Sequence, residues 1–519
     1  MGVMLLKNNV IGNLLNKDIK LMHTTFILNR RNFIRYELII LMMVMLSVCT
    51  KVYADVYYID PVKGNDKNRG DISNPLKTLK AASKICKSGD TVYLRQGKYV
   101  DDYFKAFNKN TSSRPITIKA FKNEKPVIQS SGIYGAIIFV KDASWYIFDG
   151  LEFVDCSAQS GVYFVSESTN IVIRNTRIIN TKGTPVKLRK TTDSVVEKSY
   201  FDTAGSPERA GEGDLMTLLG SSRNVIRNNY FTRGGHYAVV LMRYENIYSR
   251  FNKIQNNRIE QHWGGGIGLV LGSEFNLIEG NMISYVGEEV VGYPKVGIQL
   301  TASNNSVRNN TIYATARRDA GIYFGAYDYY GTIQNSENNV VYNNTLYQIG
   351  GEGLSFTQKA KASNSNNKIF NNVIYKASYG GPYPGGGVPR GNYDIWIDTY
   401  HAERNWDVFP NGNVFRNNWH QSTVDVAYVK KAGQQSGQWG RSISLVEKLF
   451  PDNFAGNLIS DDDPQFLDES KNRFELRKNS PLIDKGIVVD DYNGKKGGWG
   501  NLSYCGKAPD IGAFEFCDK

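Results

Sequence analysis

Asn224-Val225-Ile226-Arg227-Asn228-Asn229-Tyr230-Phe231 is the stretch that decides the fold. An Asn opens it, branched apolar residues follow, and an Asn-Asn pair precedes a second apolar pair. The phrase begins in degenerate form at Asn170-Ile171-Val172-Ile173-Arg174-Asn175. It returns in Ile254-Gln255-Asn256-Asn257-Arg258-Ile259 and Asn276-Leu277-Ile278-Glu279-Gly280-Asn281-Met282-Ile283. Val307 to Ile312, Val341 to Leu346, Ile369 to Ile374 and Val414 to Trp419 continue it. The second Asn falls at 229, 257, 281, 310, 344, 372 and 418, so the steps are 28, 24, 29, 34, 28 and 46. A fixed phrase at variable steps describes a constant rung joined by loops of variable length. Periods of this size mark solenoids.

Between these phrases lies a second one, Gly-apolar-x-apolar. Examples are Gly161 to Phe164, Gly297 to Leu300, Gly321 to Phe324 and Gly353 to Phe356. Each reads as a short strand with alternate residues inward. Helical periodicity is almost absent from 115 to 420. The chain is therefore expected to be all-β, a parallel β-helix with two or three short strands per rung. Stacked Asn side chains would hydrogen-bond from rung to rung, as in other stacked sheets. A coil of this kind has open ends that need covering. Leu76, Leu79, Ala82, Ile85 and Cys86 predict an amphipathic capping helix at the first rung. The strand Thr91 to Leu94 follows, and from 426 the Asn phrase is gone, so residues 426–519 are expected to cover the last rung.

The chain has 519 residues, 41% of them apolar and 22% charged, which excludes global disorder. Arg30, Arg31 and Arg35 precede the apolar run Leu38 to Leu46, and Val52-Tyr53-Ala54 ends it. That pattern describes a secretory signal over residues 1–54, with 1–29 as an upstream extension. The run is too short for a membrane span. Arg30-Arg31 also resembles a twin-arginine signal, and Leu46 to Cys49 a lipoprotein box. A secreted, periplasmic or surface location follows. Without residues 1–54 the chain keeps 55 basic against 48 acidic residues, a net charge of +7. No Lys/Arg block or nucleic-acid motif accompanies it, so an acidic polysaccharide is the expected partner and nucleic acid is not. A monomer is expected. Cys505 and Cys517 could pair, and the Cys spacings match no zinc site.

The segments Tyr57-Tyr58-Ile59-Asp60-Pro61, Asn74-Pro75-Leu76-Lys77-Thr78-Leu79 and Gly89-Asp90-Thr91-Val92-Tyr93-Leu94 resemble the opening of secreted bacterial right-handed parallel β-helix proteins. That group includes polysaccharide lyases of families six and nine. Asp463-Pro464-Gln465-Phe466, Asn479 to Gly486 and Pro509 to Glu515 are similar to their closing segment. The resemblance implies a right-handed coil over 55–425 with an N-terminal cap and a C-terminal closing segment. It leaves lyase, hydrolase, epimerase and binding functions open. No Asn-Thr-Asp or Arg-Ile-Lys is present, which disfavours a polygalacturonase-like hydrolase. Trp396 to His401 is only superficially similar to a strand motif of family-one pectate lyases, and Leu241-Met242-Arg243 is a fragment of a family-six pattern.

Lyase chemistry on a uronic acid needs a cation at the carboxylate, a base for the adjacent proton and a donor for the leaving oxygen. Glu208, Glu212 and Asp214 place three carboxylates in a Gly-rich loop that could hold calcium. Asp214, His236, His262, Lys295 and Asp319 precede the strands Leu215 to Leu218, Ala238 to Leu241, Ile267 to Leu271, Val296 to Leu300 and Gly321 to Phe324, so stacking would set them in one column about 4.8 Å apart per rung. His236, Lys187, Arg243 and Lys295 are the candidate catalytic groups. Arg189, His262, Trp263, Arg317, Asp319, Tyr323 and Tyr327 are the candidate substrate contacts, with Tyr323 pointing outward to stack on a sugar ring. The two functions held open are an acidic-glycan lyase, with calcium plausible, and a non-catalytic glycan-binding β-helix.

Overall fold

The structure is a computed structural model, which describes residues 54–205, 213–284, 296–315, 320–329, 331–359, 362–377, 393–401, 411–421, 425–430, 438–440, 447–448, 450–460, 462–491 and 499–518. The expected export signal falls almost wholly in residues 1–53, outside that set. Residues 55–519 form one unit, a right-handed parallel β-helix. Each turn of the coil lays one strand in each of three sheets, labelled A, B and C in the order the chain meets them. Among the described residues they hold 14, 13 and 14 strands.

The Asn phrase spans the bend from A to B. In each Asn-Asn pair the first residue takes the left-handed conformation, with φ of 56° at Asn228, 54° at Asn256 and 53° at Asn309. Asn tolerates that region better than most side chains. The second Asn is buried and bonds along the coil. The backbone N–H of Asn229 donates to Asn257 Oδ1 at 3.0 Å, and that of Asn257 to Asn281 Oδ1 at 3.0 Å. Asn310, Asn344, Asn372, Asn418 and Asn457 extend the chain of bonds. Each side-chain amide also donates back, as from Asn257 Nδ2 to Ile226 O at 2.9 Å. A second ladder, Asn224, Asn252, Asn276, Asn305, Asn339, Asn367 and Asn413, runs along the bend from C to A. Ser194 and Ser199 start the two ladders.

Inside, like residues stack on like. Phe201 and Phe231 are parallel at 4.9 Å in sheet B, and Leu188, Leu218, Leu241, Leu269 and Leu300 form one inward row in sheet C. The capping helix is shorter than its apolar spacing suggests, running only Leu79–Ile85. Thr78 caps it by accepting from Ala81 N at 3.0 Å, which leaves Leu76 outside as a bridge partner of Ile59. Ile85 is consequently 37% exposed rather than buried.

The far end also differs from the sequence expectation. Strands Phe454–Ala455 and Leu458–Ser460 still pair with the coil, so the stack continues past 425. The closing segment then folds back along the outside. Phe466, Phe474, Leu482 and Ile511 pack on Tyr313, Tyr347, Val373 and Trp419. The corner residues Asn343, Asn371 and Asn417 donate to Asp510 O, Ile487 O and Lys485 O. Cys505 and Cys517 are joined in a disulfide within this strap, while Cys86 and Cys156 are buried free thiols.

Asn257→Ala should lower unfolding free energy by about 2–4 kcal/mol, because it strands a buried backbone donor, Asn229 N, and a buried acceptor, Ile226 O, in the preceding rung. Asn228→Gly, at the left-handed position, should cost less than about 1 kcal/mol. Urea unfolding of the two variants separates these effects.

Candidate functional site

Stacking places Phe139, Phe164, Lys187, Thr217, Val240, Gly268, Gln299 and Tyr323 in one outward row of sheet C. The strands of this sheet from Phe104 to Thr301 carry no Asp or Glu. Sheets A and B behave differently. There outward arginines meet a carboxylate on a neighbouring rung: Arg174 with Asp149, Arg177 with Glu152, Arg223 with Asp193, Arg227 with Glu197 and Arg233 with Asp202. Lys187 and Arg189 on sheet C have no such ion pair among the described residues. Arg189 instead donates to Ser166 Oγ at 3.1 Å and lies over the rings of Phe164 and Tyr244. Lys187 is half-buried, and the pKa of its ammonium is lowered, first by loss of solvent and further by Arg189, against an opposing pull from Asp214.

Asp214 and His236 meet at the start of the adjoining strands. His236 Nδ1 is 2.7 Å from Asp214 Oδ1. A carboxylate can only accept, so the proton sits on Nδ1 and the neutral ring keeps Nε2 as its basic atom. Tyr237 N donates to the same oxygen at 3.0 Å, and Thr217 Oγ1 donates to Oδ2 at 3.3 Å. The His236 ring also meets Tyr237 edge-on at 4.6 Å. Tyr237 crosses the sheet over Gly268, where an added Cβ would come within 2.8 Å of its ring. Its hydroxyl donates to Gln299 Oε1, and Gln299 Nε2 donates to Thr301 Oγ1 at 2.7 Å and Tyr327 Oη at 3.3 Å. The face beside His236 is thus a closed polar relay.

The expected column holds for Asp214 and His236 and fails for His262. His262 is 0% exposed, so it is a core residue and not a substrate contact. The reason is register. Tyr237 pairs with Gly265, so His236 aligns with Gly264, and His262 lies two residues earlier, stacked against Gly234. Its Nδ1 accepts from Gly264 N at 3.2 Å, and burial pushes its pKa down to about 4. Arg243 is also separated from His236, since the strand Tyr237–Met242 lies between them. It donates to Thr332 Oγ1 at 3.3 Å beside a cavity of about 290 Å³ shared with Glu274 and Glu337. Trp263 and Tyr323 are half-buried, Tyr323 on the outward row as expected. Glu208, Glu212, Lys295, Arg317 and Asp319 lie outside the described residues. Trp396 falls on the strand Tyr393–His401, whose outer side chains also lie outside the description.

Both Asp214 oxygens accept from protein donors, and the other two carboxylates of the expected calcium loop, Glu208 and Glu212, lie outside the described residues. Among the described residues no three His, Cys, Asp or Glu side chains gather as metal ligands. Tyr237, Gln299 and Gly268 escaped the sequence reading; the run Gly264-Gly265-Gly266 before Gly268 was the only signal of a flat floor.

Two family models match this chain: the Pel9A-like right-handed β-helix region over residues 57–214, and the periplasmic copper-binding protein NosD over 216–393. The uncharacterized protein YwoF of Bacillus subtilis (strain 168) is 27% identical over 470 residues, covering 82% of this chain and 92% of that protein. Pectate lyase PEL9 of Emericella nidulans is 28% identical over 177 residues, 31% of this chain; the match spans 42% of the lyase. The crystal structure of pectate lyase Pel9A aligns at 14% identity with a TM-score of 0.42, covering 90% of this chain and 97% of its own. The family six alginate lyase AlyGC aligns at 15% identity with a TM-score of 0.45, covering 80% and 54%. The chain is a right-handed parallel β-helix protein, and its residues 57–214 are similar to the Pel9A-like β-helix region.

His262 makes stability fall with acid. The free side chain titrates at 6.5 and the buried one near 4. Between those values the unfolded chain takes up a proton that the folded chain refuses. The contribution is therefore whole above pH 6.5 and lost as pH falls toward 4, to a total of about 3 kcal/mol. Urea midpoints measured from pH 7.5 to 4.5 should fall less steeply for His262→Gln, which keeps an acceptor and cannot titrate.

Proposed function

We propose that this protein is an exported lyase that cleaves an acidic polysaccharide by β-elimination on the outer face of sheet C. The observation that carries the reading is the Asp214–His236 pair, set at the edge of a face where Lys187 and Arg189 form no ion pair among the described residues. The pectate lyase relative and the Pel9A-like family model support a polysaccharide substrate. The periplasmic description of the second family supports export, and no helix among the described residues is long and apolar enough to cross a membrane.

In this reading Lys187 and Arg189 neutralise uronate carboxylates, which acidifies the proton on the carbon beside the carboxylate. His236 Nε2 takes that proton while Asp214 stabilises the imidazolium that forms. The carbon's electron pair becomes a double bond to its neighbour, and the glycosidic carbon–oxygen bond on that neighbour breaks. The departing oxygen collects a proton from the imidazolium or from water. Tyr237 fixes the dyad through its backbone N–H and its ring.

The experiment is ultraviolet absorbance of unsaturated ends on pectate, alginate and glycosaminoglycan, with and without chelator. His236→Ala should lower the rate by about 10²–10⁴-fold, the usual worth of a general base. Lys187→Ala should lower kcat as well as raise KM, because its cation stabilises charge that develops on the uronate in the transition state. Wild-type protein that holds these glycans yet yields no unsaturated product would instead mark a binding protein.

A further inference from the structure

The first rungs of sheet C carry an aromatic strip that the dyad does not use. Phe107, Phe139 and Phe164 stand on three successive rungs, with ring centroids 6.0 Å and 5.7 Å apart. Phe107 is 54% exposed, and the other two are half-buried on outward positions. Arg189 continues the strip, its guanidinium 4.8 Å from the centre of the Phe164 ring. Outward positions of a stack need no large apolar group, and the next two rungs place Thr217 and Val240 there. Lys105, not Phe107, is the register partner of Phe139, but the Phe107 ring reaches the same row, and neighbouring rings on successive rungs of one face mark an interaction surface.

The charge around the strip selects the occupant. Lys105 and Lys141 lie on the same strands as the rings, and Lys187 and Arg189 follow on the next. The nearby carboxylates, Asp142 and Glu167, stand beyond the strands in the turn toward sheet A, and Asp142 is paired with Lys109 at 3.0 Å. Aromatic faces take the apolar faces of sugar rings, while ammonium and guanidinium groups take carboxylates. Each rung advances by about 4.8 Å, comparable with the length of one sugar unit.

We propose that Phe107, Phe139 and Phe164 form a glycan-binding platform that leads up to Arg189 and holds an acidic polysaccharide along the coil axis, three to five rungs from the strand of His236. The identity of its ligand rests on the function proposed above. The platform makes the protein selective for long chains over short fragments.

The test uses the full-length protein with polygalacturonate and alginate as probes and dextran as the neutral control. Phe107→Ala removes a ring outside the core, and Phe164→Ala removes one nearer the dyad. Each should weaken binding of both acidic polymers roughly fivefold in affinity electrophoresis. Turnover of trisaccharide-sized fragments by Phe107→Ala should stay at the wild-type rate. Unchanged affinity in both variants overturns the platform, even where elimination depends on His236. Lost affinity alongside a wild-type protein that makes no unsaturated product supports the platform and removes the lyase. Unchanged affinity with an altered sedimentation coefficient would assign the strip to a second copy of this chain and overturn the platform too.

Discussion

Everything in this molecule depends on an amide bonding to an amide one rung away. A β-strand offers its neighbours backbone bonds, but a bend does not, and a coil of short strands has two tight bends per turn. Buried there without partners, the bend's N–H and C=O groups would cost free energy in every rung. Asn answers this within one side chain. Its Oδ1 accepts the N–H of the rung before, and its Nδ2 reaches a carbonyl of that same rung. The bond has one length, so the rungs have one spacing. Register propagates from the bends into the sheets, and that is why residues separated by tens of positions line up on the outer face of sheet C.

Much of this was legible. The Asn-Asn pairs displayed the ladder because two demands fall on adjacent residues: a left-handed turn at Asn228 and a buried amide at Asn229. Gly280 satisfies the first demand in its own way, with φ of 66°, and it breaks the phrase without breaking the fold. The strap at the end was less legible. Its strands are few and its apolar residues sparse, so nothing local reveals that Phe466 and Ile511 lie on sheet B rather than over the last rung. The short helix was misjudged because Leu76 has helical spacing but serves a strand bridge.

The candidate site shows the limit of counting rungs. Asp214 and His236 each adjoin the strand that follows, and alignment by strand start brings them together. His262 precedes its strand, Gly265–Val270, without adjoining it, because Trp263 and Gly264 intervene. Two residues of slack carry a side chain around the bend from solvent to core. The same ring that would be a base at one position is a neutral, buried group at the other, and only register distinguishes them. Tyr237 and Gln299 were invisible for a related reason: they meet across 62 residues of sequence, over a glycine that has no side chain to announce the contact.

The partition of charge is the strongest link between stacking and the proposed chemistry. In a parallel stack, outward residues of adjacent rungs are neighbours, so any face can satisfy its arginines internally. Sheets A and B do so from Asp149 to Arg233. Such pairs add little stability at a surface, about 0–1 kcal/mol each, but they neutralise those arginines toward a passing polyanion. Sheet C had the same opportunity at Lys187 and Arg189, and its strands supply Ser166 and aromatic rings in place of carboxylates. Half-burial there already disfavours the charged form of Lys187. An arriving carboxylate would relieve that cost, whereas on sheets A and B it would have to displace a partner. The proposed binding face follows from this asymmetry, with the His236 base at its edge.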